Sequence, residues 1–206
     1  ILDDITAPPE NGGLFHLLFG VTGSGKTEVY IEAARHYIKH NKSVIYLVPE
    51  ISLSSQIFER LYSVFGDDLI LYHSQLTANQ RLYNWMRFFR GDAKIAVGTR
   101  SSVFLQCPDL GLIIVDEEHD SSYKEHSTPR YNARRVAYIR AKSEGATVLM
   151  GSATPSIESL YSAEKGLLRL HSLTGRFGEA VLPEIHVVGV NPRTPGDMVS
   201  SLLKLY

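Results

Sequence analysis

The chain has 206 residues, 44% hydrophobic and 21% charged, the composition of an ordinary globular protein with enough length for one sizeable core. Its formal net charge of -1 gives no global pull toward nucleic acid, so any such surface must be a local patch. A single cysteine, Cys107, excludes an internal disulfide framework and a four-cysteine zinc site; no apolar run reaches membrane-spanning length, and the N-terminus lacks a signal-peptide pattern. These features predict a cytoplasmic protein without a membrane partner.

Ile1 to Ile5 reads as the end of a helix whose start lies outside the sequence. From there, short apolar runs alternate with longer amphipathic stretches, the pattern of βαβ units around a buried parallel sheet. Strands are expected at Leu14–Phe19, Ser43–Val48, Leu69–Tyr72, Lys94–Gly98, Leu112–Val115 and Thr147–Met150. Helices are expected at Lys26–His40, Ser54–Phe65, Thr77–Arg90, Asn132–Glu144 and Ser156–Lys165. Thr77 is placed to cap its helix, and Gly91 and Gly145 stand where helices stop. After Leu170 the periodicity weakens and Pro183, Pro192 and Pro195 follow, so a boundary is expected near Gly175. This divides the chain into a lobe over 1–175 and a linker with the start of another element over 176–206.

Gly20-Val-Thr-Gly-Ser-Gly25-Lys26-Thr27 matches the Walker A pattern and lies between an expected strand and an expected helix, as that pattern requires. Glycines let the backbone curl so that N–H groups point at phosphate oxygens, and the helix N-terminus adds its positive dipole end. Gly20, Thr22, Gly23, Ser24, Gly25, Lys26 and Thr27 are therefore the expected nucleotide contacts. Lys26 would neutralise phosphate charge, and Thr27 would place its hydroxyl on Mg²⁺.

Leu112-Ile-Ile-Val115 runs straight into Asp116-Glu117-Glu118-His119, an apolar strand ending in carboxylates, as a Walker B element does. Acids at the C-terminal edge of a parallel sheet face the crevice where ligands bind. Asp116 is the expected Mg²⁺ ligand and Glu117 the group that orients and deprotonates water, while His119 is the candidate relay of phosphate status.

Together these elements resemble the ATPase lobe of a superfamily 2 helicase, and further stretches follow in the order of that family. Val48-Pro49-Glu50-Ile51-Ser52-Leu53 resembles motif Ia, Gly98-Thr99-Arg100-Ser101 motif Ib, and Gly151-Ser152-Ala153-Thr154-Pro155 motif III. Gly-Val-Thr-Gly-Ser-Gly-Lys-Thr-Glu-Val-Tyr (20 to 30) and Asp-Glu-Glu-His-Asp-Ser-Ser-Tyr-Lys (116 to 124) narrow the likeness to the PriA-type bacterial helicases, from about Leu14 to the Leu182-Pro183 region.

The resemblance implies a three-layer RecA-like P-loop NTPase domain of the α/β class, with a mainly parallel sheet flanked by helices. It implies the ATP-binding lobe of an ATP-dependent DNA helicase that moves 3′ to 5′ at stalled or abandoned forks, with ATP and Mg²⁺ as cofactors. Single-stranded and forked DNA, single-stranded DNA-binding protein and other primosome proteins are the implied partners of a monomer. Pro49, Glu50, Thr99, Arg100, Ser101, Tyr123, Lys124, Arg130, Tyr131, Arg134, Ser152 and Thr154 are the implied DNA-binding or coupling residues.

The aromatic and cationic residues from Tyr123 to Arg134, His126 included, also fit a strand with stacked bases and charged phosphates on chemical grounds alone. The resemblance further implies a second lobe bearing arginine fingers and inserted zinc-binding cysteines, neither within this sequence. Arg135 and Gly189 depart from the acidic residues that the resemblance leads one to expect. Two other readings remain: the ATPase lobe of another superfamily 2 DNA or RNA translocase, and, from different classes, a small-molecule kinase or a non-catalytic module with a nucleotide fold.

Overall fold

A computed structural model describes residues 1–7, 14–49, 55–173 and 175. The expected linker over 176–206 and Glu50 lie outside the described residues. Among the described residues, six helices flank a parallel sheet: α1 (Leu2–Thr6), α2 (Lys26–Lys39), α3 (Ser55–Phe65), α4 (Ala78–Arg90), α5 (Ala133–Glu144) and α6 (Ile157–Glu164). The strands are β1 (Phe15–Gly20), β2 (Ser43–Leu47), β3 (Leu69–Tyr72), β4 (Ile95–Gly98), β5 (Leu110–Val115), β8 (Thr147–Ser152) and β9 (Arg169–Leu173), with β6 (Lys124–Glu125) and β7 (Tyr131–Asn132) forming a separate hairpin.

The seven-stranded sheet has the order β3-β4-β2-β5-β8-β1-β9, and every pairing in it is parallel. A sheet covered on both faces needs strands that are apolar throughout, and β5, Leu-Gly-Leu-Ile-Ile-Val, is buried at all six positions. The period of two then sorts its side chains. Leu112 and Ile114 join the core under α2, whereas Ile113 and Val115 join the core under α4 and α5. Continuing that alternation one residue past the strand delivers Asp116 to the α2 side.

Each helix is seated by a stripe suited to the space beneath it. α2 buries Lys26, Tyr30, Ala33, Ala34 and Tyr37, and α5 buries Ala133, Ala137 and Ala141, alanines that let the helix lie close to the sheet. Thr77 caps α4 as expected, in a full capping box with Gln80, and Gly91 and Gly145 end α4 and α5 at φ 79° and 70°.

Strand β9 and the β6–β7 hairpin are not among the expected elements. In β9, only His171 of Arg-Leu-His-Ser-Leu is buried, because an edge strand has one neighbour and little apolar cover, so its hydrophobic signal is weak. The hairpin strands are two residues each, too short to carry a period.

One buried polar pair joins β1 to β9. His16, with no exposed surface, lies 2.9 Å from His171 through Nδ1 and Nε2, and His171 Nδ1 is 3.9 Å from the Asp4 carboxylate of α1. Burial, helped by the charge of His171 and Arg169, holds the His16 imidazole down at about 4, so it stays neutral in the fold. The unfolded chain takes up that proton near 6.5, which means stability is full above this value and falls as pH drops toward 4. Denaturant unfolding should therefore show a loss of about 3 kcal/mol between pH 7 and pH 4 that His16→Leu largely removes. Equal pH dependence in both proteins would contradict this.

Candidate nucleotide site and coupling network

The Walker A segment follows β1 and opens α2, and its conformation depends on glycine where the chain turns left-handed. Gly23 and Gly25 have φ of 78° and 91°, values that cost other residues strain. Gly20 serves a different need, because a Cβ there would lie 2.5 Å from Ser24 Oγ. The loop is thus wound as tightly as its side chains permit. Lys26 Nζ donates to the Gly20 carbonyl at 2.8 Å, and Ser24 Oγ is buried without a partner among the described residues. At the start of α2, the N–H groups of Lys26 and Thr27 have no intrahelical acceptor.

Across the cleft stand the carboxylates from the end of β5. Asp116 is 7% exposed and accepts from Tyr30 Oη at 3.1 Å, Tyr46 Oη at 3.4 Å and the Glu117 N–H at 3.0 Å. Burial pushes the Asp116 carboxyl above its ordinary range, the neighbouring Glu117 charge adds to this, and the Tyr30 hydrogen bond opposes it. A carboxylate so placed gains most from a cation. Glu117 takes φ 43°, which turns its side chain back to within 3.9 Å of Lys26 Nζ. Thr22, Gly23, Gly25, Lys26, Thr27, Asp116 and Glu117, with Ile57 and Arg60 of α3 beyond, line one cleft of about 710 Å³.

Glycine-wound backbone, N–H groups at a helix start, a Ser24 hydroxyl unpartnered among the described residues and an oxygen-only donor pair fit a magnesium nucleotide. Thr27 and Asp116 are the oxygen donors that would hold the metal.

Behind the cleft, His119 Nδ1 lies 2.7 Å from Ser152 Oγ and 3.6 Å from Glu117 Oε2, and Ser152 Oγ in turn accepts from the Thr154 N–H at 2.9 Å. The acidic box and the 151–155 segment are therefore one hydrogen-bonded unit. Glu118, for which sequence alone gave no role, is fully buried and receives donors from Arg134, Ser156 and Ser159.

The side chains expected to contact DNA fall into an inner and an outer set. Pro49, Thr99 and Tyr123 are buried. The reason is local in each case: Pro49 and Thr99 continue buried strand ends, while Tyr123 fills the core and sets its hydroxyl 2.6 Å from the Asp116 carbonyl and 3.1 Å from that of Leu47. The segment after the acidic box is thus anchored in the core at Tyr123. Arg134 is turned inward onto Glu118, and Arg100 is held by Glu125 and the Ser122 carbonyl. Ser152 is fully buried as a link between His119 and Thr154. On the outside remain Ser101, Lys124, His126, Arg130 and Thr154, with Tyr131 half-buried edge-on to Phe104.

Sequence reasoning also missed Tyr30 and Tyr46. A signal existed for each: Tyr30 lies one helical turn after Lys26, on the same face, and a tyrosine within an all-buried strand needs a partner for its hydroxyl.

Residues 14–163 match the sequence pattern of the DEAD/DEAH box helicases. The chain belongs to that family. Family membership implies a nucleotide cofactor. Among curated DEAD/DEAH-type relatives, replication restart protein PriA of Treponema pallidum is 44% identical over 190 residues, covering 92% of this chain and 29% of its own length. PriA of Bacillus subtilis is 43% identical over 172 residues, 84% of this chain and 21% of that protein. PriA of Haemophilus influenzae is 46% identical over 173 residues, 81% of this chain and 24% of that protein. The chain spans about a quarter of the length of these relatives.

The helicase fold is also seen in solved structures. RecG bound to a three-way DNA junction aligns with a TM-score of 0.58 at 23% identity, covering 78% of this chain and 21% of RecG. The Hef helicase domain of Pyrococcus furiosus aligns at 0.57 and 18% identity, covering 84% and 38%. No described helix is long and apolar enough to cross a membrane.

Proposed function

We propose that this chain is the ATP-binding lobe of a PriA-type DNA helicase, over residues 1–175, with 176–206 leading into a second lobe. The carrying observation is the convergence of Lys26, Thr27, Asp116 and Glu117 on one cleft, tied through His119 and Ser152 to the 151–155 segment. The identity to PriA proteins across these segments supports action on forked and single-stranded DNA, with single-stranded DNA-binding protein and primosome proteins as partners. A cytoplasmic setting follows from that role.

In this reading, the loop N–H groups and Lys26 bind the phosphates, and Thr27 and Asp116 position the metal. Magnesium held there would supply positive charge to offset the negative charge of the phosphates. Glu117 orients the attacking water and takes its proton. Lys124, His126, Arg130 and Tyr131, on the hairpin, face a nucleic-acid strand with cations for phosphates and a ring for stacking. Ser101 and Thr154 add backbone contacts that need no base reading, as suits a motor that travels on any sequence.

The kinase reading leaves the His119–Ser152–Thr154 chain and the cationic hairpin without a purpose. The test is ATP turnover by the longer protein with and without forked DNA. Stimulation of tenfold or more is expected, with turnover by the 206-residue chain alone lower by about 10³, since arginine fingers of a second lobe supply that order of rate. A longer protein indifferent to DNA would sink the helicase reading.

A further inference from the structure

Among the described residues, the nucleotide cleft has a cation besides Lys26, and it comes from a different element. Arg60 lies one turn after Ile57 on α3 and both line the cleft, while Leu61 next to Arg60 is buried in the core and fixes the face that the helix turns outward. Of the charged side chains lining the cleft, Lys26 and Arg60 are cations and Glu28, Asp116 and Glu117 are carboxylates. Carboxylates therefore outnumber cations in a site that has to hold a polyphosphate, and Lys26 already faces Glu117 at 3.9 Å.

Arg60 Nη2 pairs with Glu28 Oε1, and Glu28 stands in the first turn of α2, two residues after Lys26. A carboxylate at that end of a helix is stabilised by the same positive dipole end that attracts a phosphate, so Glu28 and an incoming phosphate compete for one field and for one guanidinium. The pair is loosely held. Its side chains are 52% and 46% exposed, and an ion pair that open to water contributes little. A guanidinium set against phosphate oxygens makes parallel charge-assisted bonds, which are stronger and more directional, and the balance favours exchange of Glu28 for phosphate.

We propose that Arg60 is a nucleotide-binding residue, which leaves Glu28 to hold the phosphate chain from the α3 wall of the cleft, and that Glu28 is the internal competitor that sets how tightly it does so. The proposal rests on the nucleotide reading of the cleft given above. It concerns affinity for nucleoside di- and triphosphates, and needs no residue from a second lobe. Arginine fingers act instead on the rate.

The test is equilibrium titration of the longer protein, in Mg²⁺, with N-methylanthraniloyl-ADP, comparing Arg60→Gln, Glu28→Gln and the double variant. Arg60→Gln should bind about tenfold more weakly, the equivalent of one charge-assisted hydrogen bond, and Glu28→Gln about threefold more tightly, the equivalent of releasing an exposed ion pair. The double variant should stay at least about fivefold weaker than the unsubstituted protein, and Tm should be unchanged in all three, as expected for exposed side chains. Opposite signs for the two members of one ion pair are what competition requires. Weaker binding with a lowered Tm in both single variants would mean a structural pair and overturn the proposal. Recovery of full affinity in the double variant would overturn it as well, because Arg60 would then only neutralise Glu28, and so would full affinity in Arg60→Gln. Failure of the unsubstituted protein to bind the probe would instead overturn the nucleotide reading, and this proposal with it.

Discussion

Glu117→Gln in the longer protein should retain Mg-nucleotide and lose about 10³-fold in turnover, the middle of the range for a positioned general base. The substitution keeps the side chain's length and its place in the cleft, 3.9 Å from Lys26 Nζ and 3.6 Å from His119 Nδ1, but removes its capacity to accept a proton. Retained binding follows from the neighbouring carboxylate. Glu117 is the second cause, after burial, that pushes the Asp116 carboxyl upward, so neutralising it lets Asp116 ionise more readily at the metal position. Phosphate release at saturating ATP measures the first effect, and equilibrium titration with a fluorescent nucleotide measures the second. Unchanged turnover would remove Glu117 from the chemistry. Lost binding would mean that it holds nucleotide rather than water.

The parts of this site that sequence displayed are those imposed by backbone geometry. Gly23 and Gly25 must be glycine because of their φ values, and the apolar run 112–115 shows where the strand ends and so where Asp116 stands. Thr77 and Gly91 announce a helix for the same local reason. What stayed hidden depends on partners far along the chain. Tyr30 and Tyr46 meet Asp116 only after three βα units close, at separations of 86 and 70 residues, and Glu118 looked like one more acid in a solvated run until α5 and α6 supplied its donors. Tyr123 is placed in part by an equally distant partner, Leu47. An aromatic in a polar, cationic stretch reads as a stacking platform, yet its hydroxyl satisfies two strand-end carbonyls inside the core.

Gly151→Ala should destabilise the fold by about 3 kcal/mol, the upper range for overpacking a well-filled core, and weaken Mg-nucleotide binding about tenfold. Gly151 sits in β8, directly under the tyrosine that reaches across to Asp116. A Cβ there would fall 1.7 Å from Tyr30 Oη and 2.8 Å from its Cζ, and Tyr30 has no exposed surface into which to swing. The ring must therefore shift, and the hydrogen bond it gives Asp116 goes with it. A bond to a charged acceptor contributes about 1.5–3 kcal/mol, so losing it moves both stability and the seating of the metal carboxylate. Tyr30→Phe supplies the control, because it removes the worst clash along with the bond. In a double-mutant cycle read by denaturant unfolding, Gly151→Ala should cost about half as much in the Tyr30→Phe background, the Cζ contact remaining. Strict additivity would show that the two residues do not meet, and would separate the β8 segment from the placement of Asp116.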